Sequence, residues 1–170
     1  MDIFFPYNNF QMSNQEFDHS TIERIFTNGY DEFTHENDFA LVKLTKKISF
    51  TAPVQLDDGN ISPNYDSSKK NLYAIGFGDL DPDAVIAQYP DRLHHVELSY
   101  METQTCKDIY KDAGLAITDD MMCASDPFQD SCQGDSGGPL YDKDNNVVVG
   151  VVSFGEGKHT TCNDLSYRPT

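Results

Sequence analysis

Tryptophan is absent from this chain of 170 residues, and cations are scarce: 12 Lys and Arg stand against 28 Asp and Glu, a formal net charge of −16. With a pI near 4.3, the chain is a polyanion that nucleic acid and anionic membranes repel. Neither is an expected partner, and a positively charged substrate is the natural complement of such a field. Long apolar runs are missing as well. The longest, Val147-Val148-Val149-Gly150-Val151-Val152, falls far short of the ~20 residues a membrane helix needs. Met1-Asp2-Ile3-Phe4-Phe5-Pro6 has neither a basic n-region nor an apolar h-region, so no signal peptide is legible there. What is present suffices for a core. With 38% hydrophobic and 12% aromatic residues, the composition is not that of a disordered chain, in spite of a mean hydropathy of −0.53. At roughly 100–200 residues per domain, the chain makes one compact domain or two small halves.

The four cysteines, Cys106, Cys123, Cys132 and Cys162, contain no C-x-x-C pair and crowd the last third of the chain. An even number in that arrangement reads as two disulfides rather than a zinc site, and disulfides belong to oxidising compartments. The protein is therefore expected to be extracellular, with no metal and no cofactor. A secreted body without a legible signal also implies that Met1 is not its natural N-terminus.

Short runs rich in Val, Ile, Phe and Tyr at 39–44, 72–77, 95–100 and 147–154, bounded by turn formers, predict an all-β sandwich or barrel. One helix is predicted over 103–113, with Thr103 as its N-cap. Residues 55–70, rich in Asp, Asn, Ser and Pro, read as a linker between segments 1–54 and 71–170. Three other signals carry no site. Asp79-Leu80-Asp81-Pro82-Asp83 begins like a calcium loop but continues with Ala84 and Pro90 where Gly and Glu are required. Asn60-Ile61-Ser62 is a glycosylation triplet followed by Pro63. His94 and His95 alternate to opposite faces of a strand, one at the surface and one half-buried.

The chemistry concentrates in Asp130-Ser131-Cys132-Gln133-Gly134-Asp135-Ser136-Gly137-Gly138-Pro139-Leu140. A serine nucleophile must stand clear of neighbouring side chains, and backbone N–H groups must converge where the oxyanion develops. Glycines on both sides of Ser136 permit such a turn. The run resembles the G-D-S-G-G-P nucleophile segment of the chymotrypsin/trypsin-like serine endopeptidases. Asn37-Asp38-Phe39-Ala40-Leu41-Val42-Lys43-Leu44 resembles that family's aspartate segment, N-D-I-A-L-x-K-L. Gly76-Phe77-Gly78 resembles its G-W-G, and Val151-Val152-Ser153-Phe154-Gly155 its V-S-W-G, with Phe in place of Trp both times. Asp38 precedes Ser136 by roughly 100 residues, in the family's order. The resemblance runs from about Ile22 to Thr170.

This resemblance implies a trypsin-like double β-barrel, with part of the first barrel in 1–54 and most of the second in 71–170. It implies a serine endopeptidase that cleaves after Arg or Lys. Ser136 would be the nucleophile, and Asp38 would orient the histidine and stabilise its imidazolium. The N–H groups of Gly134 and Ser136 would form the oxyanion hole. Asp130 would be the specificity carboxylate, and Ser153, Phe154 and Gly155 would pair with the substrate backbone. Asp135 would receive the amine of a newly cut N-terminus. Cys106–Cys123 and Cys132–Cys162 match two family bridges, the second bracing the specificity pocket. The implied partners are proteins or peptides with basic residues, and protein inhibitors of such enzymes.

The chain also departs from the pattern. The family places its histidine about 45 residues before the aspartate, in an A-A-H-C segment. His19 and His35 stand in nothing like that segment, while His94, His95 and His159 follow Asp38. The catalytic histidine is expected to be missing, not relocated. No I-V-G-G-like start is present. The chain stops at Pro169-Thr170, where the family continues into a last strand and helix, and Thr170 falls at a pocket-wall position that is often Gly. These departures predict an incomplete chain, inactive as given. Two other readings stay open. One is a non-catalytic homologue acting as a binding or regulatory module. The other is an α/β-hydrolase, since Gly134 to Gly138 satisfies G-x-S-x-G; that fold needs a helix after the serine, and its acid and histidine later still.

Overall fold

The computed structural model describes residues 2–5, 18–48, 52–61, 65–81, 85–127 and 129–155. Three strands, β1 (Asp2–Phe5), β2 (Asp18–Thr27) and β3 (Ala40–Leu44), form an antiparallel sheet in chain order. A second sheet holds β4 (Gln55–Leu56), β5 (Lys70–Gly76), β6 (His94–Met101), β7 (Cys123–Ser125), β8 (Pro139–Asp142) and β9 (Val147–Val151). Its order is β4-β9-β8-β5-β6-β7, antiparallel except for the β4–β9 pair. One helix, α1 (Thr103–Asp112), bridges β6 and β7. The predicted all-β class with a single short helix is what the chain adopts, and among the described residues neither sheet closes on itself.

Period-two alternation places the core. Leu72 and Ala74 on β5, Leu98 and Tyr100 on β6, and Leu140 on β8 form one buried cluster, with Val96, Ala124, Val149 and Val152 packed against it. The alternate residues of β6 face the other way, and there the Tyr73 hydroxyl donates to Glu97 at 2.8 Å. The buried Asp142 closes the β8–β9 hairpin by accepting the Asp144 and Asn145 N–H groups at 2.9 and 3.0 Å. Lys70 reaches over β6 to the enclosed carboxylate of Asp126. This strap holds the segment between β7 and the serine region against the sheet. The first sheet is different: Ile25, Phe26, Leu41 and Val42 are all exposed.

Two expected boundaries shift, each for a local reason. The last strand ends at Val151, not Phe154. Beyond it, Val152 turns from the ladder to the glycines after Ser136, accepting from Gly137 N–H and donating to the Gly138 carbonyl, both at 2.8 Å. Thr103 is not the N-cap. That position is Glu102, whose backbone (φ −52°, ψ 130°) is still outside the helix and which makes no side-chain cap bond; the Thr103 hydroxyl is engaged with Tyr100 Oη at 3.0 Å. The helix ends where Gly114 N–H reaches the Lys111 carbonyl and Leu115 N–H the Tyr110 carbonyl, the double bond of a Schellman stop.

The expected Cys106–Cys123 disulfide ties α1 to β7, with Cα atoms 6.4 Å apart. Cys162, and with it the expected Cys132–Cys162 pairing, lies outside the described residues. So do His159, Pro169 and Thr170. Cys106 is fully buried, and its bridge closes a separation of 17 residues. Replacing both Cys106 and Cys123 by Ala is expected to cost about 3 kcal/mol on the loop-entropy model. Urea unfolding checks this, and an unchanged midpoint would contradict it.

Candidate active site

Ser136 stands on a tight turn whose backbone is largely self-bonded. Asp135 N–H donates to the Cys132 carbonyl at 2.9 Å, and Gly138 N–H to the Asp135 carbonyl at 2.8 Å. Gly134 and Gly137 have φ of +100° and +82°, the left-handed region in which a Cβ is strained. The N–H groups of Gly134 and Ser136 donate to no other backbone carbonyl among the described residues. Two donors are thus left over beside an exposed serine hydroxyl.

Asp38 reaches the same place from the other sheet. Its loop is built from local polar bonds: the Asp31 carboxylate accepts Phe33 and Thr34 N–H at 2.8 and 3.1 Å, and the Asn28 amide donates to Asn37 Oδ1. His35 and Asn37 take φ of +58° and +57°, which folds the segment tightly ahead of β3. Asp38 Oδ2 then accepts the Ser153 hydroxyl at 2.5 Å, a contact across 115 positions of sequence. The backbone diversion at Val152 and this hydrogen bond bring Asp38, Ser136 and Ser153-Phe154-Gly155 onto one cavity of about 690 Å³, which Asp130 also lines.

Asp130 and Asp135 are held differently. Asp130 is exposed at the surface, yet protein atoms crowd its carboxyl. That burial pushes its carboxyl up to about 6, against the opposing hydrogen bond from Ser131 N–H; the nearby Asp135 charge adds to the rise. Asp135 points away from the large cavity. Its Oδ1 accepts Gly78 N–H at 2.8 Å and its Oδ2 accepts Cys132 N–H at 2.9 Å. A Cβ at Gly76 would fall 2.1 Å from Asp135 Oδ1, and one at Gly78 2.3 Å from Oδ2. The two glycines of the Gly76-Phe77-Gly78 segment are what admit this carboxylate.

The structure therefore gathers Asp38, Asp130, Ser136, Ser153, Phe154 and Gly155 around one cavity, and sets Asp135 behind it. His35 is a residue that the motifs did not single out. Its ring lies 4.8 Å from that of Phe154, it lines the same cavity, and its Nδ1 is enclosed with no partner among the described residues. Tyr110 of α1 meets Phe154 edge-on at 5.7 Å. The only sequence signal for His35 was its place three residues before Asp38. His94 and His95 leave β6 on opposite faces as alternation requires, but both are exposed, so neither is the half-buried one expected. Among the described residues no three His, Cys, Asp or Glu side chains are grouped to hold a metal.

A family model described as Trypsin matches residues 6–167. The chain belongs to the trypsin family. Its two open sheets and one short helix are accordingly parts of the trypsin-like double β-barrel. Trypsin, alkaline B of Manduca sexta is 34% identical over 133 residues, covering 75% of this chain and 49% of that protein. Trypsin epsilon of Drosophila erecta is 34% identical over 139 residues, covering 82% and 50%. Mannan-binding lectin serine protease 1 of Rattus norvegicus is 33% identical over 137 residues, covering 75% and 18%. The chain spans about half the length of the trypsins it matches.

Proposed function

We propose that this chain carries the nucleophile, acid and specificity pocket of a trypsin-like serine endopeptidase that cleaves after Arg or Lys. The observation that carries the reading is the Asp38–Ser153 hydrogen bond. It draws the aspartate of one sheet to the cavity that holds Ser136 and Asp130 from the other. Ser136 Oγ is the nucleophile, and the spare N–H groups of Gly134 and Ser136 stabilise the tetrahedral oxyanion. Asp38 orients the general base and stabilises its cation. Asp130 meets the basic side chain of the substrate, while 153–155 takes the substrate backbone as an added strand. Asp135 is the counter-ion for an amine that orders the serine turn. The Cys132–Cys162 bridge, a division of the chain at 55–70, and protein inhibitors as partners belong to the same reading. So does an extracellular location; among the described residues no helix is long and apolar enough to cross a membrane.

The reading is tested on the protein as its transcript encodes it, with a fluorophosphonate that phosphonylates activated serines. The adduct is expected on Ser136 and is lost in Ser136→Ala, as peptide mass mapping would read. A protein that binds basic peptides but is never labelled would instead favour a non-catalytic homologue.

Asp130 gives the pocket a pH dependence. An amidinium needs the ionised carboxylate, and protonation near the raised value of about 6 removes it. Affinity for p-aminobenzamidine is therefore expected to be full near neutral pH and to fall as the pH drops through about 6. Fluorescence titration measures it, and constant affinity down to about pH 5 would place the amidine away from Asp130.

A further inference from the structure

Asp79 begins the acidic run that falls short of a calcium loop, and the fold gives its carboxylate a different role. Its Oδ1 accepts the Gln88 N–H at 2.7 Å and the Asp81 N–H at 3.2 Å. An aspartate oxygen that holds the N–H two residues on makes an Asx-turn. The Leu80 N–H also donates to the Gln88 carbonyl at 2.9 Å, so residues 79–81 and 88 are cinched together. The N–H of Asp79 goes elsewhere and donates to the Gln133 carbonyl at 2.9 Å. Tyr89, the residue after the cinch, reaches the same place. A Cβ at Gly134 would meet Tyr89 Cε1 at 3.2 Å and Gly78 Cα at 3.3 Å.

We infer that Asp79 is a positioning residue for the Gly134 N–H, acting through the Gln133–Gly134 peptide. The inference rests on the reading of that N–H as an oxyanion donor. A trans peptide sets its C=O and N–H on opposite sides of the bond. Holding the Gln133 carbonyl on Asp79 therefore fixes the direction of the Gly134 N–H, which points away from Asp79. Gly134 has φ of +100°, and glycine tolerates positive and negative φ about equally. Its backbone alone does not choose between this peptide and one turned over. A turned peptide would present the Gln133 carbonyl where a donor is needed for the developing negative charge.

The hydrogen bond from Asp79 makes that choice, and the carboxylate makes the hydrogen bond dependable. By tying Asp79 to Gln88 it keeps both the N–H and the Tyr89 ring against the serine turn. The role calls for an acceptor oxygen, not for charge. Asparagine offers that oxygen at the same place, and alanine does not.

The test uses the protein as its transcript encodes it, with Arg-containing amide substrates. Asp79→Ala is expected to lower kcat at least tenfold, toward the ~10²–10³ that loss of one oxyanion donor costs. KM should stay within about twofold, because the interaction is made only in the transition state. Asp79→Asn should lose no more than about threefold. Near-UV circular dichroism reports that each variant is folded. An unchanged kcat in Asp79→Ala overturns the inference, as does equal damage from Asp79→Asn. So does a rise in KM that matches the fall in kcat. A second measurement needs no activity: the NMR scalar coupling between the residue-79 15N and the Gln133 carbonyl 13C across their hydrogen bond. It should be present in the unaltered protein and in Asp79→Asn, and absent from Asp79→Ala; any other pattern overturns the inference. If the unaltered protein hydrolyses nothing and Ser136 takes no fluorophosphonate while the coupling behaves as expected, the peptidase reading fails and the clamp on the peptide stands.

Discussion

The 170-residue polypeptide, assayed by itself, is expected to hydrolyse no peptide bond above background. The Ser136 hydroxyl must lose its proton as it attacks, and a neutral imidazole held between Asp38 and Ser136 is the group that takes it in this chemistry. Among the described residues the partner of Asp38 is the Ser153 hydroxyl, not an imidazole. His35, the histidine on the same cavity, is packed against Phe154. His94 and His95 stand on β6, away from it. Losing a member of such a triad costs on the order of 10⁴ to 10⁶ in turnover. That would take a rate of ~10 s⁻¹ to the limit of detection. Fluorogenic peptides containing Arg and Lys provide the assay. Turnover near ~10 s⁻¹ would contradict the expectation, and its disappearance in His35→Gln would identify His35 as the base.

If Asp130 is the specificity carboxylate proposed above, replacing it by Ser is expected to remove a preference for basic side chains in the protein as its transcript encodes it. An arginine or lysine entering the pocket meets a carboxylate that protein already crowds, and a neutral side chain leaves that charge without a partner. Truncating one partner of such a pair typically costs about 2–5 kcal/mol. Preference for Arg and Lys over Phe, Leu and Ala, read as kcat/KM at the residue before the scissile bond, should therefore drop at least tenfold. The overall charge of −16 adds long-range attraction for cationic substrates, and that part should fade with salt. If Asp130→Ser leaves the preference intact, Asp130 is not the specificity residue. If the unaltered protein shows no basic preference at all, the pocket assignment itself fails.

Much of the fold was legible in the chain itself, because strand and helix signals are local. The apolar runs at 72–77 and 95–100 marked the strands that carry the core residues Leu72, Ala74, Leu98 and Tyr100, and the glycines around Ser136 marked a turn that needs positive φ. The family was legible for the same reason, in short contiguous motifs. The tertiary structure decided which of these motifs share a site. No local pattern says that Ser153 spends its hydroxyl on Asp38, 115 positions away, nor that Val152 leaves its strand for the serine turn. Strand register brought Gly76 and Gly78 to the Asp135 carboxylate and set His94 beside them. Packing, not sequence neighbourhood, raised Asp130 to about 6 and laid His35 on Phe154. Long-range hydrogen bonds, charge and desolvation depend on distances that close only when the sheets assemble, so the site's electrostatics belong to the fold while its residue types belong to the sequence.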